Sequence, residues 1–284
     1  MFPQTFADIP PQYATLEAAH ILLQSIPYDG TSTWGKGADK GFEAFLAASP
    51  ALEYYDIETQ SEVYRKGIHI LPTLSGFASP EEMFERTYQR ARQLLAEDKF
   101  PTFFGGEHSI SIGIIKAFYE KYDNLTVLQI DAHTDLRPSY LGSPYNHACA
   151  VYDANKSCNL IQVGIRSMDI SEREHLNPEQ CYFAHQINGT SHWMEDSIKR
   201  MTDKVYLTFD LDAFDPSIMP ATGTPEPGGL DWYTVTNYLR KVFAKKEIVG
   251  FDIVELAPID GLHAPQFLAA KLYYKLLSYK FANR

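Results

Sequence analysis

The chain has 284 residues, 45% hydrophobic and 21% charged, which places it in the globular range with enough length for a large core. Its formal net charge of −11 and pI near 5.3 argue against nucleic acid or an anionic membrane as the main partner and suit a small neutral or cationic molecule. No run approaches the ~20 apolar residues of a membrane span, and the N-terminal stretch lacks a basic region followed by a continuous apolar one, so a cytoplasmic location is expected.

In chain order, "HILLQSI" (20–26) reads as the first strand. Ser79 as N-cap and Pro80 at the first helical position open a helix over 80–98. The strand "PTFFG" (101–105) follows, then a helix over 109–121 and the strand "LTVLQID" (125–131). "LIQVGI" (160–165) is the next strand, followed by a helix over 192–201, the strand "KVYLTFDLD" (204–212) and a helix over 231–245. The strand "EIVGFDIVEL" (247–256) and a helix over 264–280 close the chain. This alternation predicts an α/β fold with a mostly parallel sheet covered by helices. No repeat or long linker divides it, so one domain over 1–284 is expected.

In open parallel sheets, ligands sit beyond the carboxyl ends of the strands, so the residues just after each apolar run matter most. After "PTFF" comes "GGEHS" with His108. After "LTVLQI" comes "DAHTD" with Asp131, His133 and Asp135. After "VYLTF" comes "DLDAFDP", where Asp210 and Asp212 are expected on one face of an extended chain, and Glu255 follows "VGFDIV". Each motif alone also reads as a polar turn, with aspartates satisfied by backbone amides, Asp215 and Pro216 opening a bend, and His108 a hydrogen-bonded core residue.

Together the motifs bring four carboxylates and two imidazoles to one sheet edge. Four aspartates in one cleft must protonate or be neutralised by cations, and two divalent ions balance four charges. Oxygen-rich sites with some nitrogen suit manganese or magnesium, and imidazole tilts the choice to manganese. Cys149, Cys158 and Cys181 lie outside the motifs and lack CxxC spacing, so they are expected as reduced thiols and a closed zinc site is not expected.

"GGEHS", "DAHTD" and "DLDAFDP" in this order, followed by "DIVELAP", resemble the ureohydrolase family, which includes arginases, agmatinases and formimidoylglutamases. The resemblance runs from "PYDGTSTWGKG" to "VELAP" and implies an arginase-like, three-layer α/β/α fold with a doubly wound sheet. It also implies two Mn2+ per chain. His108, Asp131, Asp135 and Asp210 would hold one ion, Asp131, His133, Asp210 and Asp212 the other, with Asp131 and Asp210 bridging. A metal-bridging hydroxide would attack the guanidinium carbon, and the tetrahedral intermediate would collapse to urea and an amine. Glu255 would hold the guanidinium, or else pair with an Arg or Lys beside the sheet. His147 would carry a proton to the leaving amine, or else be a loop histidine bonded to water. A homo-oligomer, trimer or hexamer, is implied by the same analogy.

"LRPSYLGSPYNHACAVY" and "IQVGIRSMDISE" look like agmatinases, so the expected substrate is the small cationic guanidino compound agmatine, giving putrescine and urea. Phe42 stands where many relatives have proline, which touches loop shape or subunit packing. Arg137 bears on the substrate tail. Turned inward, it would favour the acidic tail of guanidinobutyrate or formiminoglutamate; turned to a salt bridge, as expected, it leaves room for an amine. Arginase is less expected, because its substrate needs polar loop residues for an α-amino and an α-carboxylate group. A binuclear metallophosphoesterase would need "GD" and "GNH" motifs after Asp131, and neither occurs. A one-zinc deacetylase relative is disfavoured by the second ligand set, and a non-catalytic relative by Glu255 and His147.

Overall fold

The apolar runs become strands because both of their faces are covered. In β1 (Ile21–Ile26), Ile21 and Leu23 join one core cluster while Leu22 and Ile26 join another, as the alternation of strand side chains requires. The same division separates Phe103 from Phe104 in β3 (Phe100–Gly105) and Val127 from Leu128 in β4 (Leu125–Ile130). The computed structural model describes residues 5–282, so residues 1–4 and 283–284 of the domain expected over 1–284 lie outside it.

The remaining strands are β2 (Ile68–Ile70), β5 (Asn159–Ile165), β6 (Cys181–Phe183), β7 (Lys204–Asp210) and β8 (Glu247–Val254). All pair in parallel, in the order β2-β1-β3-β8-β7-β4-β5-β6. The helices are α1 (Gly41–Ala48), α2 (Pro80–Leu94), α3 (Ile110–Lys121), α4 (Tyr152–Ser157), α5 (Ala184–Ile187), α6 (His192–Arg200), α7 (Trp232–Lys245) and α8 (Ala264–Phe281). Met83 of α2, Ile114 of α3 and Ala154 of α4 pack on one face of the sheet. Phe45 of α1, Trp193 of α6, Leu239 of α7 and Tyr273 of α8 pack on the other. The fold is therefore the three-layer α/β/α arrangement with a doubly wound parallel sheet.

Topology explains why the polar motifs meet. Strands are added from β1 toward one edge and from β4 toward the other, so the order reverses in the middle, where β3, β8, β7 and β4 are neighbours. Phe104 pairs with Ile253, Asp210 with Val254, and Ile130 with Phe209. The ends carrying Gly105, Asp131, Asp210 and Glu255 thus emerge within one residue of the same level.

Ser79 caps α2 as expected, its side chain accepting the Glu82 N–H at 3.2 Å behind Pro80. The helix expected over 80–98 stops at Leu94, where the N–H groups of Ala96 and Glu97 donate to carbonyls three residues back and the chain turns into β3. The strand expected over 204–212 ends at Asp210, and residues 211–213 form a 3-10 turn. The short edge strands β2 and β6 escaped the sequence reading because three residues are too few to show an alternation. Among the described residues no helix is long and apolar enough to cross a membrane.

Candidate metal centre

The turn after β3 requires glycine at 106, since a Cβ there would lie 1.9 Å from the Tyr28 carbonyl oxygen. This close approach turns His108 back over the sheet edge. The His108 backbone N–H donates to Glu255 Oε1 at 2.8 Å, and its ring Nε2 lies 2.9 Å from Thr208 Oγ1. The Thr208 hydroxyl donates to Asp252 Oδ1 at 2.7 Å, while the Tyr206 hydroxyl donates to Oδ2 at 2.6 Å. Because the one Thr208 hydroxyl proton is committed to Asp252, His108 Nε2 must be the donor, and Nδ1 is the nitrogen turned toward the carboxylates. That buried nitrogen has no hydrogen-bond partner, yet it lies 3.1, 3.0 and 3.4 Å from carboxylate oxygens of Asp131, Asp135 and Asp210. Burial pulls the imidazole down, but Asp131 and Asp135 outweigh it and hold it well above its ordinary value, so without a metal this nitrogen keeps a second proton among three carboxylates, and a divalent cation can take that proton's place. The residues present fit a metal ion on this ground.

His133 faces a second set. Its Nδ1 lies 3.0 Å from Asp212 Oδ2 and 3.6 Å from Asp131 Oδ1. Ligand atoms of His108, Asp131 and Asp135 lie within 4.8 Å of one another, as do those of Asp131, His133 and Asp212, so Asp131 belongs to both sets. Asp212 does not arrive by strand alternation, which corrects the expectation of an extended chain. Asp210 Oδ1 accepts the Asp212 N–H at 2.8 Å, capping the turn that swings Asp212 across to accept the Ala132 N–H at 3.1 Å. Arg166 fixes the turn from below its ligands, donating to the carbonyl oxygens of Asp212 at 2.6 Å and of Ala213 and Phe214 at 3.3 Å.

Without cations the charges conflict. Burial, then the Asp131 charge, pushes Asp135 up to about 7. Asp210 and Glu255 are held well above the carboxylate range by burial and by the neighbouring carboxylates. Burial pulls the His133 imidazole down, but Asp212 and Asp131 outweigh it and push it up to about 12. Oxygen and imidazole donors dominate, and Cys149, Cys158 and Cys181 are free thiols outside the cluster.

His108, His133, Asp135, Asp210 and Asp212 line a cavity of about 260 Å³ together with Glu255 and His147, while Asp131 is fully buried. Glu255 sits in the left-handed region (φ 67°), as does Asp135 (φ 50°), a backbone strain of about 1–2 kcal/mol for each that concentrates at functional sites. Among the described residues no Arg or Lys pairs with Glu255. Burial pulls the His147 imidazole down to about 4, and its Nδ1 lies 3.2 Å from Thr31 Oγ1.

Arg137 has the expected salt bridges, with Asp169 at 3.7 Å and Glu172 at 3.8 Å, while its guanidinium lies 4.2 Å from the centre of the Tyr140 ring and still lines the cavity. Asp169 and Glu172 were missed by sequence reasoning although both border the cavity. They form a capping box, and the D-x-x-E spacing within "SMDISERE" was the available signal.

Residues 19–278 match the model of the arginase family. The chain belongs to that family. It is 34% identical to the N(1)-aminopropylagmatine ureohydrolase of Synechocystis sp., over 98% of this chain and 96% of that one. It is 35% identical to a protein of the same name from Thermus thermophilus, over 93% and 91%. The crystal structure of agmatine ureohydrolase of Thermoplasma volcanium superposes with a TM-score of 0.86 at 27% identity, over 98% of this chain and 95% of that one. Membership makes the chain an agmatinase-like ureohydrolase, a hydrolase acting on amidino groups, with an Asp and His cluster suited to metal.

Proposed function

We propose that the chain hydrolyses the guanidinium group of a linear guanidino-amine, agmatine itself or agmatine lengthened by an aminopropyl group, to urea and the corresponding amine. The observation that carries this reading is the buried carboxylate of Glu255 in one cavity with His108, His133, Asp135, Asp210 and Asp212, with Asp131 grouped with both histidines. Two manganese ions would be held, one by His108, Asp131, Asp135 and Asp210 and the other by Asp131, His133, Asp210 and Asp212. When bound, such a pair supplies a strongly nucleophilic water at neutral pH and neutralises the four aspartates.

The protein's own groups do the rest. Glu255 Oε1 is tied to the His108 N–H, which leaves Oε2 to accept from the guanidinium of the substrate. Hydrolysis adds water across one C–N bond, with oxygen going to carbon and a proton to the departing nitrogen. His147 lines the same cavity and is neutral at pH 7, so its Nε2 can take a proton from water and pass it to the leaving amine. At the tail end, one guanidinium (Arg137) is countered by two carboxylates, Asp169 and Glu172, and the local balance favours an amine over a carboxylate. Hydrogen bonds from Ser171 hold Asp169 in its ionised form. The names of the similar proteins favour the aminopropyl-extended amine as a second substrate.

The test is urea release from agmatine, N(1)-aminopropylagmatine, arginine, guanidinobutyrate and formiminoglutamate with Mn2+ supplied, alongside metal content per chain. Turnover restricted to the two amines with two ions bound is expected. Preference for an acidic tail, or one ion per chain, would overturn the reading.

A further inference from the structure

The segment "PYDGTS" contributes a residue that no part of the reaction above uses. Thr31 is buried against His147, 116 residues away from it in sequence, and its Oγ1 accepts the His147 backbone N–H at 3.0 Å and lies 3.2 Å from the ring Nδ1. The same hydroxyl donates to Glu107 Oε1 at 2.8 Å. Glu107 is fully buried, and its carboxylate receives three further donors: the N–H of Thr31 at 3.1 Å, the N–H of Ser109 at 2.7 Å and the hydroxyl of Ser109 at 2.9 Å. Burial raises the Glu107 carboxyl while these donors favour its ionised form, in which it can only accept, so the Thr31 hydroxyl proton is committed to Glu107. Thr31 Oγ1 is then an acceptor toward His147, and the ring proton must sit on Nδ1. Nε2, which has no hydrogen-bond partner among the described residues, is left with its lone pair for the cavity.

We infer that Thr31 and Glu107 are positioning residues that fix the tautomer and the ring orientation of His147, so that Nε2 is the nitrogen that exchanges protons with the reacting groups. The inference rests on the proton-transfer role proposed for His147. Glu107 holds Thr31 and Thr31 holds the ring, while neither touches the substrate. Without the Thr31 hydroxyl, both neutral tautomers of His147 become accessible and the ring loses its anchor at Nδ1.

The experiment is a cycle of variants assayed as manganese-loaded enzyme with agmatine or N(1)-aminopropylagmatine, whichever turns over faster. Thr31→Val keeps the shape and removes the hydroxyl. It should lower kcat by roughly 10- to 100-fold, a part of the roughly 100- to 10,000-fold that a positioned acid–base group contributes, with KM changed less than about threefold. Thr31→Ser, which keeps the hydroxyl, should return kcat to within about threefold of the parent. In a His147→Asn background, Thr31→Val should cost nothing further, because the two act as one unit. Thr31→Ala provides a second hydroxyl-free variant, and metal content with thermal unfolding establishes that each protein is folded and loaded. Full kcat in Thr31→Val, equal losses in the Ser and Val variants, or additive losses in the double variant would each overturn the inference. Full kcat in His147→Asn would instead refute the role of His147 itself, and the inference with it.

Discussion

Removing the Thr208 hydroxyl should weaken one metal ion far more than the other. Thr208 connects His108 Nε2, at 2.9 Å, to the buried carboxylate of Asp252, at 2.7 Å, and this link makes Nδ1 the nitrogen that faces the carboxylates of the proposed metal site. In Thr208→Val the ring can take the opposite tautomer, and its basicity falls with the lost acceptor. Partners that orient a ligand from behind are worth about 10- to 100-fold in metal affinity, which is about 1.4–2.7 kcal/mol. His133 has no such link to Thr208, so the ion on its side should bind within about threefold of the parent. Asp252 keeps the Tyr206 hydroxyl but loses one of its donors, which lowers folding stability by a further ~1–3 kcal/mol. Manganese titration of metal-free protein, read by calorimetry together with ions bound per chain, separates the two steps. Thr208→Ser should restore the parent curve. Unchanged affinity for both ions, or an equal loss at both, would refute the reasoning that His108 is oriented through Thr208.

Asp210→Ala should leave at most one weakly held manganese per chain, measured after gel filtration, because Asp210 lies among the ligands and caps the turn that delivers Asp212; two tightly bound ions would contradict that. Glu255→Gln should keep both ions yet lose roughly 100-fold or more in kcat, since an amide whose oxygen takes the His108 N–H turns an uncharged NH2 donor toward the guanidinium. The pH dependence has a defined sign. His133, raised to about 12 in the metal-free fold from an ordinary 6.5, binds its proton more tightly folded than unfolded, so its stabilising effect is present below about pH 6.5 and is lost as pH rises. At lower pH the raised Asp135, which loses stability between 3.8 and about 7, is opposed by the depressed His147, which gains it between about 4 and 6.5. Metal-free protein should therefore melt at a falling Tm from about pH 6.5 to 9, while added Mn2+ widens the gap between loaded and unloaded Tm, because ligands must be deprotonated to bind. A metal-free Tm that rises over that interval would exclude this account.

Much of the fold was legible because apolar runs ending in Asp, His or Gly mark strands and their active ends together. "LTVLQIDAHTD" reports β4 and three candidate ligands in eleven residues. What stayed hidden depends on contacts between distant segments. Thr208 and Asp252 are 44 residues apart, and each looks like an ordinary strand residue until β7 and β8 pair. The Asp210–Asp212 turn was hidden for another reason: "DLD" after a β run suits an extended chain as well as a cap, and only the 2.8 Å bond from the Asp212 N–H to Asp210 decides between them. Arg137 shows the same limit, since its direction is set by Asp169 and Glu172 on a loop more than thirty residues on.

The place of β8 has a consequence for how the protein assembles. It is the last strand in sequence, yet it fills the slot between β3 and β7. Until it enters, His108 at the end of β3 has no fixed distance to Asp210 at the end of β7, and two unpaired parallel edges remain open in the middle of the sheet. Such pairing between distant segments is slow and leaves partly folded chains prone to aggregate. Manganese uptake should therefore lag behind helix formation during refolding and time the insertion of β8, with the ion acting as a clasp that closes only on a finished sheet.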